Sequence, residues 1–220
     1  MKIENCVLGV YETLNGLDIA GEMSIWLKKY YKLFKVTQEP IEGNLCEYPA
    51  LLFASDFCMG INEPVLYIHT KGAANTTPVQ EIVRALWKRE FKQNKGWYEE
   101  QIEGDEAKVI CPITTNEEIA WYNGFVMNPS AAKIIHDRLT IEDRYFYEKK
   151  LLVGSGIKVI GHYEAEKLQV TKKMFEVLGY KVIKLRREKY ANLNLKGLLP
   201  GEYRTLSIKE VKILYSLCKK

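Results

Sequence analysis

Residues 65–72 read Val65-Leu66-Tyr67-Ile68-His69-Thr70-Lys71-Gly72. Val65 to His69 is the most strand-like run in the chain, apolar and rich in β-branched and aromatic residues until the histidine. Thr70-Lys71-Gly72 breaks it, and a polar stretch from Ala73 to Pro78 follows. Upstream, Pro49 to Met59 is apolar enough for a buried helix, with Gly60 as its stop. Downstream, a helix over Val79–Phe91 puts Ile82, Val83, Leu86 and Trp87 at core spacing.

The same alternation extends outward. Strands are expected at Cys6–Tyr11, Phe34–Thr37, Lys108–Ile113 (stopped by Pro112), Trp121–Met127 (interrupted by Asn123-Gly124) and Ile157–Ile160. Helices are expected from a cap at Asp18 to near Phe34, over Pro129–Leu139 and over Ile141–Leu152. Helices alternating with strands predict an α/β fold with a mostly parallel central sheet. In such sheets ligands gather at the carboxyl ends of the strands. A smaller scheme closes the chain: a helix over Thr171–Leu178, a C-cap at Gly179, a strand over Lys181–Leu185, and a last helix from an N-cap at Ser207 to Cys218.

Composition narrows the class. The chain has 220 residues, 47% hydrophobic and 27% charged, which suits one α/β domain with a small appendage and excludes a disordered chain. No run approaches the roughly 20 apolar residues of a membrane span, and the N-terminus lacks the apolar core of a secretory signal. Cys6, Cys46, Cys58, Cys111 and Cys218 form no Cys-x-x-Cys pair and read as free thiols of a reducing cytoplasm. His69, His136 and His162 have no metal-ligand spacing, so no metal site is expected. His162 is a second candidate for the rim of the sheet.

Charge divides the chain. Residues 163–220 carry 14 basic and 6 acidic side chains, a balance of +8, while the remainder carries 18 against 22, or −4. The expected domains follow this division: residues 1–162 as an α/β domain and 163–220 as a basic extension packed on it. A basic segment is a solvated surface or a contact with an anionic membrane face, an acidic polymer or nucleic acid.

Candidate site residues follow from the strand ends. His69, Thr70, Lys71 and Gly72 combine a fixed charge, a hydroxyl and free backbone N–H groups, a set suited to phosphate or diphosphate. Arg84, on the next helix, offers paired donors for phosphate oxygens. Trp121, Asn123 and Gly124 bring an aromatic face and an amide to a sugar ring or base. Glu142, Asp143 and Glu148 are candidate general bases toward a hydroxyl nucleophile. Asp143 also fits a capping box begun by Thr140.

The ordered set Val65–Gly72, the helix with Arg84 and Trp87, Trp121-Tyr122-Asn123-Gly124-Phe125 and Glu142–Glu148 resembles glycosyltransferase-like proteins of bacterial and viral surface-polysaccharide loci, related to rhamnan-synthesis-type proteins. The resemblance covers about Cys6 to His162. It implies a nucleotide-sugar-binding sandwich (glycosyltransferase A-like), a nucleotide-sugar donor and a glycan or other surface-polymer acceptor. It further implies that Lys71 and His69 neutralise the leaving diphosphate and that Glu142 or Asp143 accepts the acceptor's proton. Family members usually hold a divalent metal with Asp-x-Asp where this chain has His69-Thr70-Lys71, which leaves the metal open. The amide is also offset, Asn123-Gly124-Phe125 standing for Gly-Asn-Phe. The location implied is cytoplasmic, at the inner membrane face if the basic segment binds there.

Two other classes remain open. One is a nucleotide- or sugar-binding module without chemistry, consistent with the missing Asp-x-Asp. The other is a nucleic-acid-directed protein: Thr171–Asn192 has the helix-Gly-strand-basic pattern of small RNA-associated domains, and Lys184, Arg186, Arg187 and Lys189 would meet phosphates.

Overall fold

The computed structural model describes residues 1–38, 47–70, 78–114, 119–120, 124–140, 146–164, 181, 189–190, 193–194 and 204–218. The chain forms two compact units, residues 1–181 and 182–220. The larger is a mixed α/β unit around a six-stranded sheet. Its strands are β1 (Asn5–Tyr11), β2 (Lys32–Gln38), β3 (Val65–His69), β4 (Lys108–Thr114), β5 (Phe125–Met127) and β6 (Lys158–Glu164). Their order is β2-β1-β3-β5-β4-β6. β5 pairs antiparallel with both β3 and β4, and every other pairing in the sheet is parallel. β6 runs past residue 162, where the sequence suggested a domain boundary.

Period-2 alternation sorts the strands between two apolar layers. Cys6, Leu8, Val10, Leu66, Ile68, Ile110 and Val126 face one core. Val7, Val65, Tyr67, Val109, Cys111, Phe125 and Met127 face the other. A sheet covered on both faces needs apolar residues on both, which is why β1 and β3 read as continuous hydrophobic runs. The first layer is closed by α1 (Leu14–Leu27), α3 (Pro78–Gln93) and α4 (Lys95–Gln101) through Met23, Trp26, Leu86, Trp87, Phe91 and Tyr98. The second is closed by α2 (Tyr48–Ile61) and α5 (Pro129–Arg138) through Leu51, Ala54, Ala131, Ala132 and Ile135. Each large side chain so buried contributes about 1.5–3 kcal/mol relative to exposure.

The order of the main strands and helices largely matches the reading of the sequence, and β3 matches it residue for residue. Several ends differ. α1 begins at Leu14, capped by Thr13, whose Oγ1 accepts from the Gly16 N–H at 3.0 Å; Asp18 lies inside the helix. A Cβ on Gly16 would sit 1.9 Å from the Tyr11 carbonyl oxygen, so only glycine allows this tight entry from β1. α2 passes through Gly60 and stops at Asn62, which takes the left-handed conformation at φ 52°. Pro112 does not end β4; it lies beyond Val109 and Ile110, which pair with β5, and so removes no bond to that strand. α4 was not expected at all. Of the strand expected over Trp121–Met127, only Phe125–Met127 is a strand among the described residues. Of the helix expected over Ile141–Leu152, the described part contains a π-helical turn, Phe146–Lys150.

In the smaller unit, β7 (Lys189–Tyr190) pairs antiparallel with β8 (Leu193–Asn194). α6 (Ile208–Cys218) follows a reciprocal cap: the Glu210 N–H donates to Ser207 Oγ at 3.3 Å, and the Ser207 N–H donates to Glu210 Oε2 at 2.8 Å. Arg204 forks onto the same carboxylate at 2.7 and 3.0 Å, and with the Ser207 donors it holds Glu210 down to about 2. The expected helix over Thr171–Leu178 lies outside the described residues, as does the Lys181–Leu185 strand except for Lys181.

Candidate functional site

β1, β2, β3, β4 and β6 all run in one direction, so Tyr11, His69, Thr114 and Glu164 share one edge of the sheet. β5 enters from that edge, just after Gly124. Two polar groups are built there, on the ends of β3 and β6.

At the end of β3, His69 lies beside Glu47, the residue just before α2, with Nδ1 3.5 Å from Oε1. Both side chains are largely covered, at 12% and 3% exposure. The imidazole is also 5.7 Å from the Trp87 ring centroid. Gly124 presses on the same indole from the start of β5: a Cβ there would lie 2.5 Å from Trp87 Nε1. His69 and Gly124, both expected at the site, thus meet through a tryptophan that is itself core, at 1% exposure. Thr70 ties strands together: its N–H donates to the Gly9 carbonyl at 2.9 Å and its Oγ1 accepts from the Tyr11 N–H at 3.0 Å. Arg84 is half-buried on α3. Lys71, Gly72, Trp121, Asn123, Glu142 and Asp143 lie outside the described residues, as does the side chain of Glu148, whose backbone belongs to the π-helical turn.

At the end of β6 the structure assembles a group that the sequence reading did not. Glu90, on α3, is fully buried. Its Oε1 accepts from Asn94 Nδ2 at 3.0 Å and the Tyr163 hydroxyl at 3.4 Å. Its Oε2 takes the Tyr98 hydroxyl at 3.2 Å and pairs with His162 Nδ1 at 2.6 Å. Two partners on each oxygen satisfy an ionised carboxylate, an acceptor-only group with about four lone-pair sites. Burial, and then the Glu90 charge, push the Tyr98 phenol well above its ordinary range. The Tyr163 phenol is raised for the same two reasons, with the Arg89 charge opposing. The His162 ring lies 4.5 Å from the Trp97 centroid and 4.6 Å from that of Tyr163.

Glu90 had a legible signal. It stands three residues after Trp87, four after Leu86 and seven after Val83, on the apolar stripe of α3. A carboxylate on such a stripe must find buried partners. His162 is the rim residue that the sequence predicts; no local pattern marks Asn94 or Tyr98.

Among the described residues no group of three or more His, Cys, Asp or Glu side chains could hold a metal ion. No helix among them is long and apolar enough to cross a membrane.

A stretch of 55 residues, 25% of this chain, is 51% identical to the ribosomal large subunit pseudouridine synthase B of Bacillus subtilis (strain 168). The chain spans about a fifth (22%) of that protein's length. No protein-family model matches the chain, and no solved structure matches it. The likeness overturns the glycosyltransferase function and the place in polysaccharide biosynthesis drawn from the motif resemblance. Half-identity over 55 residues is far more specific than four short motifs.

Proposed function

We propose that this chain is an RNA-directed protein that engages RNA through its basic segment, residues 163–220. The stretch 51% identical to part of a ribosomal large subunit pseudouridine synthase carries the reading. The charge division supports it: +8 in residues 163–220 against −4 elsewhere is a local attraction for a phosphate backbone. Pseudouridine synthesis itself is not part of the proposal, because the shared stretch is only about a fifth of the relative. A reducing, cytoplasmic location accompanies the reading, in keeping with Cys6, Cys58 and Cys111 as buried free thiols.

For the fold alone, we propose the nucleotide-sugar-binding sandwich as the finer architecture. Its support is the parallel sheet with one antiparallel strand inserted between β3 and β4. Fold carries no activity with it.

The test is retention of a labelled large-subunit ribosomal RNA fragment on a filter as salt is raised. The expected result is binding at low salt that weakens steeply with added salt. No retention at low salt sinks the proposal.

A further inference from the structure

Four partners around a buried carboxylate make a sufficient structural tie between α3, α4 and β6. His162 does more than complete it. The other three partners of Glu90 all donate to it, and a carboxylate accepts, so His162 donates from Nδ1, and the uncharged tautomer that fits carries its proton there. Its other ring nitrogen, Nε2, makes no hydrogen bond or ion pair with the described residues. The side chain is 26% exposed, while its partner carboxylate is at 0%. The ring is held in place by Trp97 and Tyr163, with the Tyr98 ring edge-on at 6.4 Å. A fixed imidazole with one nitrogen tied to a buried carboxylate and the other accessible is the arrangement that elsewhere orients a proton acceptor. Here the described residues supply no nucleophile for it.

We propose that His162, positioned by Glu90, is the proton acceptor of a ligand site at the carboxyl end of β6, for a small molecule presenting a hydroxyl group. This proposal does not rest on the basic segment's contact with RNA. A neutral Nε2 accepts one donor, and the surrounding rings leave the imidazole its edge to offer. A hydroxyl is the donor from which a base of this kind takes a proton. The edge of the sheet is where α/β folds place their ligands.

Two measurements on the full chain test this. The first is the ¹⁵N signature of the His162 ring in the wild-type protein at alkaline pH. An imidazole in water prefers its proton on Nε2; the proposal requires it on Nδ1, and a proton found on Nε2 overturns it. The second uses hydrolysis of p-nitrophenyl acetate as a reporter of an accessible, oriented base. Water gives one proton to Nε2 as its oxygen bonds to the acetyl carbon. p-Nitrophenolate then leaves, acetic acid forms, and the proton on Nε2 returns to solvent. His162→Gln should lower the protein-catalysed rate about a hundredfold or more, the lower end for a positioned base. His136→Gln, at a more exposed histidine, should leave it unchanged. Equal rates in wild type and His162→Gln overturn the proposal and leave the cluster a structural tie.

Discussion

Gly124 and Trp87 touch so closely that no larger residue fits between strand and helix: a Cβ on Gly124 would lie 2.5 Å from both Cε2 and Nε1 of the indole. Trp87 is 1% exposed and wedged in the first core, so it cannot swing into solvent. Gly124→Ala should therefore cost about 1–3 kcal/mol, the usual range for overpacking. Urea denaturation reads this as a lower midpoint at unchanged slope. A wild-type midpoint would mean that the indole yields freely.

Asn128 is buried and caps α5: its Oδ1 accepts from the Ala131 N–H at 3.0 Å and from the Lys108 N–H at 3.0 Å, while Nδ2 donates to the Glu106 carbonyl at 2.7 Å. Asn128→Ala strips a helix cap and leaves backbone groups at the start of β4 unpaired. The expected loss is about 2–4 kcal/mol, a cap plus one or two orphaned groups. Asn128→Asp keeps Oδ1 but turns a second oxygen on the Glu106 and Gly104 carbonyls, so its loss should be smaller at acid pH, where the carboxyl holds a proton to donate, than at neutral pH. Equal losses at the two pH values would show that these carbonyl contacts contribute little.

Alkali should unfold the larger unit from within. Burial pushes the Cys58 thiol from its ordinary 9.0 up to about 12. It raises Cys6, Cys111, Tyr31 and Tyr98 as well. These groups hold their protons in the folded chain at pH values where the unfolded chain releases them. Stability is therefore fully present below the unfolded values, falls from about pH 9 as unfolded thiols ionise, and falls more steeply past about pH 10 as tyrosines join. Unfolding free energies measured from pH 8 to 11 should trace this decline. A flat profile contradicts it.

Replacing Lys184, Arg186, Arg187 and Lys189 together with alanine removes four of the 14 basic side chains in residues 163–220. If each meets a phosphate, the slope of log K against log salt for single-stranded RNA should become shallower by about 3. Affinity at low salt should fall while the stability of the larger unit stays unchanged. An unaltered slope would move the RNA contact away from these residues.

The order of strands and helices was largely legible because each apolar run carries its own period: 2 on the strands, 3.6 on the helices. β3 was readable to the residue, since its apolar, β-prone run stops sharply at Thr70-Lys71-Gly72. Ends were less legible where geometry replaced propensity. Thr13 and Asp18 are both fair caps by residue type. The choice fell to Thr13 because Gly16 allows α1 to start directly against Tyr11. Gly60 lost to Asn62 because α2 runs on until a residue takes the left-handed conformation.

Sequence alone determined the α/β class, the alternation that forces a mostly parallel sheet, and the charge imbalance of residues 163–220. These are sums and periods along one chain. Only the tertiary structure decided that β5 enters antiparallel, that His69 and Gly124 meet across Trp87, and that Glu90 and His162 pair. Those facts join residues tens of positions apart, and nothing in local spacing records which helix face will lie over which strand end until the two cores close.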